Sequence, residues 1–185
     1  MEFDEVIKKR RSIRAYKKKK VPFSKIVKIC EAARYAPMAG NIYTIRLIVV
    51  EDKEKKAKLA EASFHQDFIA EASHVIVVCS DLSLLKRSYG ERAFIYGRQQ
   101  AGAAIQNMLL KITELGLASC WIGAFDENAV KRILRIPEPI QVEALLPIGF
   151  GREKPREIVK PELKTILNFE FYGLKVSKKE PEPGV

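Results

Sequence analysis

Apolar positions recur at helical spacing from the start of the chain, where Phe3, Val6 and Ile7 share one face and tie a short helix to the core. The same period returns at residues 24–36 through Ile26, Ile29, Cys30 and Ala33, with Ser24 expected as N-cap and Pro37 as the stop. Residues 37–41 signal a loop, residues 45–50 a strand and residues 53–62 a charged surface helix. At residues 74–79, Val75, Ile76, Val77 and Val78 run without a polar break, which suits a buried strand. Residues 81–92 show no period and read as irregular, with a turn at Tyr89-Gly90.

The longest pattern covers residues 92–115, with the stripe Ala101, Ala104, Ile105, Met108, Leu109 and Ile112, and ends before Gly116. Its segment Ala101-Gly102-Ala103-Ala104 is small nearly all round, so other backbones can approach it closely on two sides. Residues 118–122 are expected as a third strand, and Asp126 as the cap of a short helix carrying Val130, Ile133 and Leu134. Residues 142–150 complete a set of four strands. Beyond Arg156 the period is lost, apart from a strand-like alternation at residues 167–172. Strands and helices interleave without strict βαβ alternation, which predicts an α+β domain with a mixed sheet. One domain over residues 1–176 is expected, then a charged, proline-rich, flexible tail at 177–185.

Composition narrows the classes. The 185 residues are 47% apolar, enough for one sizeable core. No apolar run approaches the ~20 residues of a membrane span, and no signal peptide is visible. Cys30, Cys79 and Cys120 are an odd, widely spaced set in apolar contexts, read as buried thiols of a cytoplasmic protein. With only His65 and His74, read as ordinary surface or strand-start residues, metal chemistry is not expected. The net charge of +10 admits an anionic partner. However, 23 acidic residues are mixed among 33 basic ones, which favours small anions and a lysine- and glutamate-rich thermophile composition over nucleic acid.

The candidate chemistry is cationic. Arg10-Arg11-Ser12-Ile13-Arg14 follows the first helix, and Lys154 and Arg156 form a second cationic pair late in the chain. Guanidinium forks, an ammonium and a hydroxyl offer many donors, which suits phosphate. There is no Walker loop and no G-x-G-x-x-G between strand and helix, and Gly149-Phe150-Gly151 leads to Pro155 rather than into a helix. No nucleophile elbow or paired histidine is visible. Fixed cations without an evident acid, base or nucleophile suit an anionic cofactor that brings its own reactivity.

Several pieces then occur in a telling order. They are the Arg10–Arg14 run, Ala36-Pro37 through Asn41, the small-residue helix, Gly116-Leu117-Ala118-Ser119-Cys120-Trp121-Ile122-Gly123, Leu146-Pro147-Ile148-Gly149, and Lys154-Pro155-Arg156. Together they resemble the FMN-dependent nitroreductase superfamily over almost the whole chain. The resemblance implies a three-layer fold, a mixed central sheet flanked by helices, and a C-terminal segment exchanged with a dimer partner. It implies that Arg10, Arg11, Ser12 and Arg14 hold the FMN phosphate and the flavin's pyrimidine edge, with Lys154 and Arg156 as late phosphate and ribityl contacts. Pro37, Met38 and Asn41 would approach the flavin from the neighbouring subunit, Ile122 and Gly123 would meet flavin N5, and Gly149 would lie close by.

The activity implied is FMN-dependent oxidoreduction in a homodimer with FMN at the interface. Hydride from NAD(P)H would reach flavin N5 and pass to an electron-poor acceptor, a nitroaromatic or quinone, by a ping-pong mechanism with no catalytic side chain. Two departures stand out: Met38 where serine is usual, and Tyr43 where a polar residue is frequent. Tyr43, Tyr89, Phe94 and Trp121 are candidates for pocket lining or plain packing. A nucleic-acid or anionic-surface binder and a non-catalytic flavin-binding protein remain as rival readings.

Overall fold

The structure, a computed structural model, describes residues 1–153 and 159–175. The chain forms two compact units, Met1–Pro155 and Arg156–Val185. The expected tail at 177–185 and the cationic residues Lys154 and Arg156 lie outside the described residues.

In the first unit a four-stranded sheet has the order β1-β2-β4-β3, with β1 Ile45–Val50, β2 His74–Asp81, β3 Ala118–Ser119 and β4 Ile140–Gly149. Every pairing among these strands is antiparallel. The parallel element of the expected mixed sheet is one bridge, Ser12 to Ser119. Strand β2 is central and apolar on both faces, so alternate residues feed two cores. Ile76 and Val78 join Ile26, Ile29, Ile105 and Met108 in one cluster, while Val75, Val77 and Cys79 join Leu59, Ile69 and Val130 in the other. The helices supplying the first cluster are α2 (Phe23–Ala33) and α6 (Arg92–Glu114); those supplying the second are α3 (Lys53–Ala62), α4 (Phe68–Glu71) and α7 (Glu127–Leu134). The result is the expected three-layer α+β architecture. Each fully buried Ile or Leu contributes about 1.5–3 kcal/mol, against about 0–1 kcal/mol for an exposed ion pair, so the two apolar faces dominate stability.

Several boundaries differ from the sequence expectation. Helix α1 (Phe3–Lys9) buries Val6 alone; Phe3 and Ile7 stay exposed. Helix α2 ends at Ala33, short of Ala36, and Ser24 lies inside it rather than capping it. The early stop leaves carbonyls that tertiary partners take up: Asn107 Nδ2 donates to Ala32 O at 3.3 Å, and the Tyr43 hydroxyl donates to Arg34 O. Residues 81–92 are not irregular: α5 (Ser83–Tyr89) forms there, held by buried Leu82 and Leu85 and closed at left-handed Gly90. It is too short to show a period.

The third strand shrinks from the expected residues 118–122 to Ala118–Ser119, although Ile122 still bridges Leu145. Both contacts keep one register with β4, which sets Cys120 opposite Pro147, where the ring removes a ladder donor. In the second unit, α8 (Leu163–Ile166) is followed by turns, and residues 167–172 form no strand. Glu170 and Gly173 have positive φ there, and an alternating pattern without a pairing edge has nothing to hold it extended.

A buried polar cluster anchors the segment that follows the cationic run. Lys56 Nζ donates to the carbonyls of Ala72 (2.5 Å) and Ser73 (3.2 Å). Ser73 Oγ accepts from Val21 N at 2.8 Å and lies 3.0 Å from Nδ1 of fully buried His74. His74 Nε2 faces Glu51 Oε2 at 3.7 Å, and Glu51 pairs with Lys20. Burial lowers the His74 pKa from its ordinary 6.5, opposed by Glu51. The Glu51 carboxyl also lies below its ordinary 4.5, chiefly through the Lys20 hydrogen bond.

Both shifts have the same sign for stability. The unfolded chain takes up a proton at histidine near pH 6.5 that folded His74 refuses, so acidification favours the unfolded state. Stability from His74 is present above that pH and falls as pH drops below it; Glu51 adds a further loss below 4.5. Urea midpoints are therefore expected to fall between pH 7 and pH 5, and His74→Gln is expected to flatten that dependence. Equal slopes in the two proteins would exclude His74 as the source.

Candidate functional site

The cationic run is a strand-like arm zipped into the sheet. Helix α1 closes with Arg10 N donating to Val6 O. Ile13 N then donates to Ser119 O at 2.9 Å, Lys17 N to Phe150 O at 2.8 Å, and Arg152 N to Ala15 O at 3.0 Å. Ile13 and Tyr16 point inward and are buried, which turns Ser12 and Arg14 outward to solvent. Arg14 N also donates to Glu153 Oε1 at 2.8 Å, so the residue just before Lys154 lies against the arm.

Behind the arm lies the buried Cys120. Burial pushes the Cys120 thiol up, while Arg14, a hydrogen bond with Ser12, and Arg10 pull it down. The Ser119 hydroxyl is buried and has no partner among the described residues. It lines a cleft of about 260 Å³ with Lys9, Arg10, Arg11 and Thr113. Within this cleft wall, Arg11 Nη1 donates to the carbonyls of Lys8 and Arg10, which ties Arg11 to the end of α1.

Gly149 also has another job. It is buried, and a Cβ there would lie 2.8 Å from Tyr16 Cδ1, so its bare backbone makes room for the Tyr16 ring. The Tyr16 hydroxyl donates to Ile13 O at 2.8 Å, with Pro147 O at 3.2 Å as second acceptor. Burial raises the Tyr16 pKa, so this phenol stays a neutral donor.

Ile122 and Gly123 lie on the stretch after β3. Ile122 exchanges both backbone hydrogen bonds with Leu145 at 3.0 Å. Gly123 follows it, exposed, and its N–H has no acceptor among the described residues. Trp121, 42% exposed, stands over α6, with Cη2 4.0 Å from where a Gly102 Cβ would be. It is not a core tryptophan.

The loop carrying Pro37, Met38 and Asn41 is assembled differently. Gly40 and Asn41 are both left-handed, and Tyr89 packs so closely that a Gly40 Cβ would fall 2.5 Å from its hydroxyl. Tyr89 meets Tyr96 edge to face, and Phe94 joins Leu82 and Leu85, so this aromatic group packs the loop. Met38 turns to the first core cluster, and its sulfur accepts from Gln100 Nε2 at 2.9 Å; Gln100 also donates to Ile42 O. The side chain of Met38 is thereby committed inward, while Pro37 and Asn41 remain exposed. No hydrogen bond among the described residues links this loop to the Arg10–Arg14 arm. Arg10, Ser12 and Arg14 thus share the arm that pairs with Ser119, while Pro37, Met38 and Asn41 lie on a separate loop.

Sequence reading passed over the turn at residues 63–66. Phe64 and His65 have φ of 57° and 58°, two consecutive bulky left-handed residues, and Gln66 reaches from there to Ala124 O. The one signal along the chain was a helix ending without glycine, too weak to single the turn out.

Comparison with known proteins agrees with this architecture. The model of the Nitroreductase family matches residues 7–150. A protein of Archaeoglobus fulgidus, provisionally named NADH dehydrogenase/NAD(P)H nitroreductase, is 36% identical over 149 residues, covering 78% of this chain and 83% of that protein. FMN reductase [NAD(P)H] of Bacillus subtilis is 29% identical over 175 residues, covering 86% of this chain and 70% of the relative. Among solved structures, B. megaterium NfrA1 superposes with a TM-score of 0.86 at 25% identity, over 92% of this chain and 74% of that one. With its cationic arm and small-residue central helix in the matched span, this chain belongs to the nitroreductase family.

Proposed function

We propose that the chain is an NAD(P)H-dependent FMN oxidoreductase that reduces an electron-poor aromatic acceptor, a nitroaromatic or quinone. The carrying observation is that exposed Ser12 and Arg14 and half-buried Arg10 stand on an arm hydrogen-bonded to Ser119, on the stretch that leads to Gly123, whose N–H has no acceptor among the described residues. The donor set fits FMN: cations and a hydroxyl for a dianionic phosphate or the pyrimidine edge, and a backbone N–H for a ring nitrogen. When bound, FMN would supply the two-electron chemistry that oxidises NAD(P)H and reduces the acceptor. The chain's own residues bind and orient; none need act as acid or base. The names of the B. subtilis and A. fulgidus relatives support the same reading.

In this reading two copies share the flavins, and residues 1–176 act as one FMN-binding domain before a tail at 177–185. The loop of Pro37, Met38 and Asn41 would serve the second copy, with Asn41 as the polar contact, and Lys154 and Arg156 would complete the phosphate site. The C-terminal segment would pair across the dimer. A groove of about 540 Å³ between α1, α2 and α6, where Phe3, Tyr35 and Leu110 are flanked by Lys28, Glu31 and Lys111, is a mixed surface open to that second copy.

The test is the visible spectrum of the purified protein reconstituted with FMN, followed by anaerobic NADH or NADPH and then menadione. Flavin bands that bleach and return support the proposal. Yellow protein that neither nucleotide bleaches would make it a non-catalytic flavin holder. Failure to take up FMN, with salt-sensitive binding to duplex DNA, would favour the nucleic-acid reading.

A further inference from the structure

A cleft of about 330 Å³ opens where α5, α6 and α7 meet the start of β4, and none of its lining residues has a part in the FMN reading. One wall is a β-bulge. Cys79 pairs with Val142 and Val78 with Ala144, so Glu143 between them has no partner on β2. Bulges re-aim a side chain and recur beside functional sites. This one is fastened from α7: Glu127 Oε1 accepts from Val142 N at 3.0 Å, and Lys131 Nζ lies 3.2 Å from the same oxygen. Lys131 also reaches the Glu138 carboxylate at 3.6 Å, so these three charges are matched among themselves.

Other charges on the lining are unmatched. Glu143 is half-buried, and its Oε1 is shielded from solvent with no hydrogen-bond partner among the described residues. Lys86 of α5 sits over the Phe94 ring, 4.3 Å from its centre, and Arg98 follows Phe94 by one turn of α6. The two cations therefore share one helical wall, and neither forms an ion pair among the described residues, with Glu143 or with any other acid. A shielded carboxylate oxygen without a donor costs free energy, and neighbouring cations without an anion repel. An acid and two bases that line one cavity without meeting leave room for a ligand that meets both.

We propose that this cleft binds a small zwitterion, whose ammonium group donates to Glu143 and whose carboxylate meets Lys86 and Arg98. An amine alone or an acid alone would satisfy one end and leave the other unmatched. A metal ion does not fit, because Glu127 and Glu138 already pair with Lys131, and the described residues hold no His, Cys, Asp and Glu grouping suited to one.

The test is calorimetric titration of the full-length protein with glycine, β-alanine, γ-aminobutyrate and ε-aminocaproate, which set ammonium and carboxylate progressively farther apart. Butylamine and butyrate are the single-charge controls. Expected is saturable binding with one preferred spacing, about tenfold or more tighter than either control, because each end adds a charge-assisted hydrogen bond. Glu143→Gln is expected to weaken the preferred zwitterion about tenfold, and Arg98→Ala severalfold. Neither variant is expected to lower the melting temperature of ligand-free protein, since neither side chain has a polar partner in the fold among the described residues. No binding at millimolar concentration, equal affinity for the controls, or unchanged affinity in Glu143→Gln would overturn the proposal. So would lost binding with a lower melting temperature in Glu143→Gln, which would assign the carboxylate to the fold. Saturating FMN is expected to leave the zwitterion's affinity unchanged; competition between the two would place the zwitterion in the flavin site and reject a separate cleft.

Discussion

Replacing Arg10 and Arg14 together by alanine is expected to raise the FMN dissociation constant by about a thousandfold. Each charge-assisted hydrogen bond contributes about 1.5–3 kcal/mol, and tenfold in affinity corresponds to about 1.4 kcal/mol. Two such contacts to a dianion therefore account for two to four decades, roughly. Folding is expected to change little, because both side chains are at least partly solvent-exposed and the backbone bond from Arg14 to Glu153 survives substitution. Fluorescence titration of apoprotein with FMN, alongside urea denaturation, separates the two quantities. Unchanged FMN affinity in the double variant would remove the arm from the binding site.

Tyr16→Ala is expected to be the most damaging single substitution near the site. Deleting a buried aromatic costs about 3–5 kcal/mol, which for a chain of this size lowers the melting temperature by roughly 10 °C. Tyr16 is 2% exposed and fills the space left by Gly149. It also pins the arm, bridging to Gly151 while its hydroxyl holds the turn at Ile13. FMN affinity is therefore expected to fall in Tyr16→Ala, although Tyr16 does not touch the outer face. In Tyr16→Phe the ring remains and one hydrogen bond goes, for about 1 kcal/mol and little change in FMN affinity. Calorimetry of both variants tests the ranking; equal losses would place the stabilisation in the hydroxyl rather than the ring.

Much of the architecture was legible because its signals are local. Strand β1 and helix α3 fall at the expected bounds, since a short apolar run after a loop and a charged run mark them locally. Asp52 and Asp126 both cap, through Lys55 N and Ala129 N. Helix α5 was not legible because it is too short to show a period, and the ends of α2 and β3 because contacts from other segments meet them there. For α2 these are Asn107 and Tyr43; for β3 the partner is Pro147. At the site the same division holds. The cations announced themselves by type and order, whereas Arg11 folding back on α1, Met38 turning to Gln100 and Gly149 seating Tyr16 depend on packing.

By itself, then, the sequence determined the element types, the two-faced central strand, the cationic arm and the family these imply. Periodicity and residue chemistry are properties of neighbours along the chain. Only the tertiary structure decided which cations face outward and where Gly123 is pinned. Those outcomes depend on register and on close approach between segments far apart in sequence, such as Arg14 and Glu153 or Gln66 and Ala124. A one-residue slip of the arm against Ser119 would bury Ser12 and Arg14 and expose Ile13, because side chains alternate along an extended strand.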